Sequence, residues 1–290
     1  MPGFVHPEFL VETEWLERHL GDPELRVFDC TTHLIPDPKT TYQVVPGRAD
    51  FEKAHIPGAQ FIDLQADLSD NASRLRFMKP SADAVAAAMG RLGVGAESRA
   101  ILYSTANPQW ATRVWWLLRC FGFDNAAVLN GGFQKWHREA RPVETGPARP
   151  RQPARFVVRE ERPLMVGKDE VKAAIGDGAV CTLNALSAEQ HAGTGGNSYG
   201  RLGRIAGSVN LPAATLVDPA TNAFLPADDL RRRFAAVGAL DREVVTYCGG
   251  GIAASADAFA LVMLGHDRVK LYDASMSEWA NDPSLPMETG

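Results

Sequence analysis

Several short words occur twice in this chain, in the same order. HIPGAQF at 55–61 answers RIAGSVN at 204–210, RCFGFD at 119–124 answers VMLGHD at 262–267, and LNGGFQKW at 129–136 answers LYDASMSEW at 271–279. The spacing is nearly constant: Tyr103 pairs with Tyr247, Gly122 with Gly265, Trp136 with Trp279 and Gly58 with Gly207. Whatever one half folds into, the other half must fold into as well. Two copies are too few for a solenoid, so the expectation is two modules that dock and leave a cleft between them.

Within each copy, strand-like words alternate with helical ones. LRVFDC, AILYST and AAVLNG surround an amphipathic stretch at 110–120; AVCTLN, SVNLP, EVVTYC and VKLYD surround a second at 253–264. Such alternation predicts α/β folding on a mainly parallel sheet flanked by helices. Residues 141–163 carry five prolines and little periodicity, which reads as an extended linker. The expected domains are therefore 1–150 and 151–290. With 290 residues, 45% of them hydrophobic, each half can bury a core of its own.

A formal charge of −5 offers no basic footprint for a phosphate backbone, so no nucleic-acid partner is expected. Apolar runs are short and the first twenty residues carry Glu8, Glu12, Glu14 and Glu17, which predicts no membrane association and a cytoplasmic protein. Cys30, Cys120, Cys181 and Cys248 lie far apart, so neither a zinc site nor a disulfide framework is implied. No metal and no organic cofactor are expected.

One cysteine stands out. Cys248 follows the β-branched run EVVTY and precedes Gly249, Gly250 and Gly251, after which Ala256, Phe259, Ala260 and Met263 fall at helical spacing. It therefore sits where a strand of a parallel sheet hands over to a helix, the edge at which α/β folds hold ligands. Glycines there permit φ > 0 and uncover main-chain N–H groups beside a positive helix end. That setting favours a thiolate and any anion attached to its sulfur. In the first copy the strand AILY leads instead to Ser104 and no glycines. A purely architectural loop would be needed twice, so only the second copy is read as catalytic.

These words resemble the tandem rhodanese family of sulfurtransferases, over nearly the whole chain. HIPGA, RVWWLLRCFG and LNGGFQKW are similar to its catalytically silent first domain; YCGGGIAAS and LYDASMSEW are similar to its active second domain. The resemblance implies two tandem rhodanese-like domains, Cys248 as a nucleophile that carries sulfur as a persulfide, and Gly249, Gly250, Gly251, Ile252 and Ala253 as the loop around it. The loop is closer to the Cys-Gly-Ser-Gly-Val-Thr type of 3-mercaptopyruvate enzymes than to the basic loops of thiosulfate enzymes. It departs from that type at Gly250 and Ala253. The family's Asp-x-Arg word and a further arginine are replaced by Asn184, Leu186 and Gln190. Arg201 and Arg204 are the substitute candidates for gripping an anionic donor, and His55 is the candidate for protonating a pyruvate enolate.

The implied chemistry is a two-step transfer from a small anionic sulfur donor, 3-mercaptopyruvate rather than thiosulfate, to a thiol, thioredoxin-like or cyanide acceptor. A phosphatase reading needs an arginine six positions after the cysteine, where this chain has Ala254. The alternative from another class is a persulfide carrier or interaction protein that has kept the fold but lost donor binding. Bland readings cover the rest: Trp115, Trp116, Trp136 and Trp279 as packing, Arg231, Arg232 and Arg233 as a charged helix face, and Ser275–Glu278 as a capping box.

Overall fold

The computed structural model describes residues 3–37 and 41–290. Among the described residues, the first half holds β1 (Leu10–Val11), β2 (Leu25–Asp29), β3 (Thr32–Asp37), β4 (Thr41–Pro46), β5 (Gln60–Phe61), β6 (Arg99–Tyr103) and β7 (Ala126–Leu129). The second half holds β8 (Met165–Val166), β9 (Val180–Asn184), β10 (Arg204–Ile205), β11 (Val209–Asn210), β12 (Glu243–Tyr247), β13 (Val269–Tyr272) and β14 (Met287–Glu288). Five strands of each half form an all-parallel sheet, in the orders β1-β7-β6-β2-β5 and β8-β13-β12-β9-β11. The two orders correspond strand for strand, so the repeated words build one topology twice. Central β12 pairs with β9 and β13, and Val244 through Tyr247 are buried, as a strand covered by helices on both faces requires. The antiparallel hairpin β3–β4 stands outside the first sheet.

Two helices form the junction between the domains. Gln109–Cys120 follows β6, and Ala253–Met263 follows β12. Ala254 through Met263 are all buried, because this helix packs against its own sheet on one side and the first domain on the other. Trp115 meets Phe259 edge to face at 4.8 Å across that junction, and Thr112 Oγ1 lies 2.8 Å from Ser255 Oγ. The four tryptophans expected to pack are at most 1% exposed. The proline-rich connection has no helix or strand between 145 and 164; it runs along the first domain, with Ala154 N–H donating to Gly90 O and Arg162 N–H to Cys120 O. No helix among the described residues is long and apolar enough to cross a membrane.

Candidate active site

Cys248 leaves the carboxyl end of β12, and Ile252 caps the junction helix. The three intervening glycines serve different ends. Gly251 has φ +72°, and a Cβ there would lie 2.7 Å from Asp273 O. Gly249 is glycine because the ring and hydroxyl of Tyr199 occupy the space a Cβ would take. At Gly250 a Cβ would meet only ordinary contacts, Ser277 Oγ at 3.6 Å and Tyr42 Oη at 4.0 Å. The expectation of a left-handed backbone thus applies to one of the three.

The segment that follows β13 holds the loop from behind. Ser275 Oγ accepts from Cys248 N–H at 3.1 Å and Gly251 N–H at 3.2 Å, while donating to Tyr272 O. Met276 N–H donates to Cys248 O, and Ser277 N–H and Oγ to Gly249 O. The N–H groups of Gly249, Gly250, Ile252 and Ala253 donate to no protein acceptor among the described residues. They remain available for an anion on the sulfur. Ser275, with φ +50°, is not a helix cap as the S-x-x-E spacing suggested; Ala274 is the N-cap and Glu278 accepts from Tyr272 Oη. The reason is competition: the hydroxyl bonds the cysteine loop instead of the helix start.

Cys248, Gly249, Gly250, Ile252 and Ala253 line a cavity of about 300 Å³ between the domains. Leu34, Tyr42, Phe77 and Gln109 reach it from the first domain; Leu186, Ser187, Gln190 and Tyr199 close it from the second. Among the described residues, no charged side chain lines it. Burial raises the phenols of Tyr42 and Tyr199 above their ordinary range, and the nearby Cys248 sulfur adds to the shift. Both therefore stay protonated near neutrality and are competent donors toward a sulfur anion.

A fully buried arginine of the first domain reaches the loop. Arg113 Nη2 pairs with Asp273 Oδ1 at 2.7 Å and also donates to Phe77 O, while Nη1 donates to Gly251 O at 3.4 Å. Asp273 Oδ2 accepts from Lys79 N–H at 2.7 Å. First-domain residues thus fix the loop that the second domain carries.

The other expected contacts do not come together here. Arg201 spends its guanidinium on four carbonyls, those of Trp279, Ala280, Asp282 and Leu285. Arg204 pairs with Glu288 and donates to Gly290 O. His55 is 2% exposed, stacked on Phe51 with Nδ1 at 2.7 Å from Phe51 O and Nε2 at 3.9 Å from Glu144. None of the three lines the Cys248 cavity. His55 and Arg204 are equivalent positions of the repeat, each beside a glutamate that also accepts a glycine N–H: Gly58 on Glu144 and Gly207 on Glu288. A latch built in both copies belongs to the fold. At the position where an arginine was expected, Gln190 closes a capping box with Ser187 and donates to Asn197 O. Tyr42, Phe77, Gln109 and Arg113 were not anticipated, being far from Cys248 in sequence and in no word that it shares.

The remaining cysteines are buried thiols. Desolvation raises Cys30 and Cys181, and pushes Cys120 up to about 12. In the first copy, Ser104 Oγ is tied to Asn107 O.

Comparison with known proteins agrees with this architecture. The Rhodanese-like domain family matches twice, over residues 12–139 and 168–282. The 3-mercaptopyruvate sulfurtransferase of Escherichia coli is 31% identical, covering 97% of this chain and 98% of that protein. The sulfur carrier protein TtuD of Thermus thermophilus is 33% identical over 99% of both chains. The crystal structure of SseA, a 3-mercaptopyruvate enzyme of Escherichia coli, superposes with a TM-score of 0.81 at 29% identity, covering 92% of this chain and 98% of that one. The chain belongs to the rhodanese-like family, as a two-domain sulfurtransferase.

Proposed function

We propose that Cys248 takes sulfane sulfur from a small anionic donor, holds it as a persulfide among the amides of Gly249 to Ala253, and passes it to a thiol or cyanide acceptor. The observation that carries this reading is the set of four unclaimed loop N–H groups at the wall of the Cys248 cavity. The Cys248 thiolate attacks the donor's sulfur and expels pyruvate enolate, which takes up a proton. An acceptor thiolate then attacks the outer sulfur and releases the Cys248 thiolate. The first domain's Ser104 position makes no such transfer, and the division near residue 150 separates a supporting domain from the reacting one.

Mercaptopyruvate is the favoured donor over thiosulfate. A dianion enters a cavity without charged walls at greater desolvation cost than a monoanion, and among the described residues the lining supplies hydroxyls and amides but no cation. A cytoplasmic setting suits a nucleophilic thiol that must return reduced after each cycle. Turnover with both donors under matched conditions, in wild type and Cys248→Ser, tests the proposal. Mercaptopyruvate should be the better donor and the variant inert; a preference for thiosulfate would refute the donor reading.

A second reading, a persulfide carrier, is favoured by the lack of charged side chains among the described residues of the cavity and by the resemblance to a sulfur carrier protein. It predicts acceptance of sulfur from a protein persulfide without saturable turnover of small donors.

A further inference from the structure

Beside the Cys248 cavity lies a second recess of about 180 Å³, lined by Thr41, Tyr42, Arg74, Leu75, Arg76, Tyr199, Ser277 and Asn281. The two share Tyr42 and Tyr199 as walls, and Ser277 Oγ, at the edge of the recess, donates to Gly249 O. Among the described residues the recess holds two arginines and no acidic residue, in a protein whose formal charge is −5. Arg76 is fixed in place: its guanidinium stacks over the Tyr42 ring, 5.3 Å from the centroid, and Nη1 donates to Tyr42 O. Arg74 is exposed and has no hydrogen-bond or ion-pair partner among the described residues. The first domain thus brings two arginines to a recess that shares walls with the Cys248 cavity, whereas the second domain's own Arg201 and Arg204 are committed to backbone and Glu288.

We propose that Arg74 and Arg76 form the anion subsite of this enzyme, and that they hold the carboxylate of the sulfur acceptor. The inference rests on the persulfide reading of Cys248. The recess and the cavity meet at the Tyr42–Tyr199 pair, whose ring centroids are 6.3 Å apart. An acceptor that places its sulfur at Cys248 and its carboxylate between the arginines must extend past those two rings. A short peptidyl thiol with a free carboxylate has that reach, whereas a three-carbon acid keeps its carboxylate beside its sulfur. In the transfer step the acceptor thiolate forms an S–S bond to the outer sulfur of the Cys248 persulfide, and the bond from that sulfur to Cys248 Sγ breaks. The leaving thiolate recovers the proton that the acceptor thiol gave up, so no oxidant or reductant is consumed.

The test follows the second half-reaction alone. Enzyme is first loaded with sulfur and the Cys248 adduct verified by mass spectrometry, then discharged with glutathione or with uncharged 2-mercaptoethanol. Failure of the adduct to form would strike the persulfide reading; the subsite is judged only on loaded enzyme. Arg74→Ala and Arg76→Gln should each raise the glutathione concentration for half-maximal rate about ten-fold, as loss of a charge-assisted contact implies. The 2-mercaptoethanol rate should change less than about two-fold, Arg74→Lys should restore most of the loss, and added salt should mimic it. Equal losses with both thiols in Arg74→Ala, or no loss with glutathione in either variant, would overturn the proposal.

Discussion

Arg113→Met removes one partner of a buried ion pair that joins the two domains. The guanidinium is 0% exposed and the Asp273 carboxylate 8%, at 2.7 Å. After the substitution Asp273 keeps a single strong donor, Lys79 N–H at 2.7 Å. Leaving a charge buried without its counterion costs about 3–5 kcal/mol. The retained Lys79 contact places the expected loss toward the lower end of that range. Equilibrium urea unfolding of Arg113→Met, Asp273→Asn and the double variant measures it. The double variant, with neither charge, should be more stable than the sum of the single losses by more than about 1 kcal/mol. The Gly251 carbonyl also loses a donor, so sulfur loading should slow in Arg113→Met even at temperatures where it is fully folded. A single-variant cost below about 1 kcal/mol, or strictly additive losses, would refute the idea that this pair clamps the loop.

Gly249→Ala should lower activity sharply, because its Cβ must displace the Tyr199 ring that walls the cavity; an overpacking loss of about 1–3 kcal/mol should accompany it in thermal unfolding. Gly250→Ser, by contrast, meets only ordinary contacts and should leave stability within about 0.5 kcal/mol of wild type, a result that a crystal-quality fold and melting curve would check. Asp29 is pushed up by burial to about 6, against an ordinary 3.8. The folded state therefore binds this proton more tightly than the unfolded chain, and that stabilisation is lost as pH rises from about 4 through 6. Asp29→Asn, which copies Asn184 of the second half, should gain up to about 3 kcal/mol on wild type between pH 4 and pH 7. A pH-independent difference between the two proteins would show that Asp29 is not the group responsible.

The fold was legible because the repeated words sit at structural pivots. Tyr103 and Tyr247 each accept a main-chain N–H, from Ile56 and Ile205, and Trp136 and Trp279 each donate to a proline carbonyl. The cysteine loop stood out for the opposite reason, its Cys-Gly-Gly-Gly run occurring in one copy only. What the sequence hid is what the docking of two domains creates. Arg113 lies in the RVWW word and reads as part of a packing helix, yet its side chain crosses to Gly251 and Asp273. Arg201 and Arg204 read as available cations, but nothing in a linear sequence reveals that backbone carbonyls and a carboxylate already claim them. Comparison of the two copies holds the missing signal for His55 and Arg204: a position filled by a basic residue in both words is a latch before it is a reagent.

The proposed transfer turns on the sulfur atom of residue 248. Protein incubated with mercaptopyruvate and no acceptor, then digested and weighed without reductant, should carry one added sulfur atom on the Cys248 peptide, removable by dithiothreitol. Sulfur found on the peptide of Cys30, Cys120 or Cys181, or an unmodified Cys248 in protein that still releases pyruvate, would contradict it.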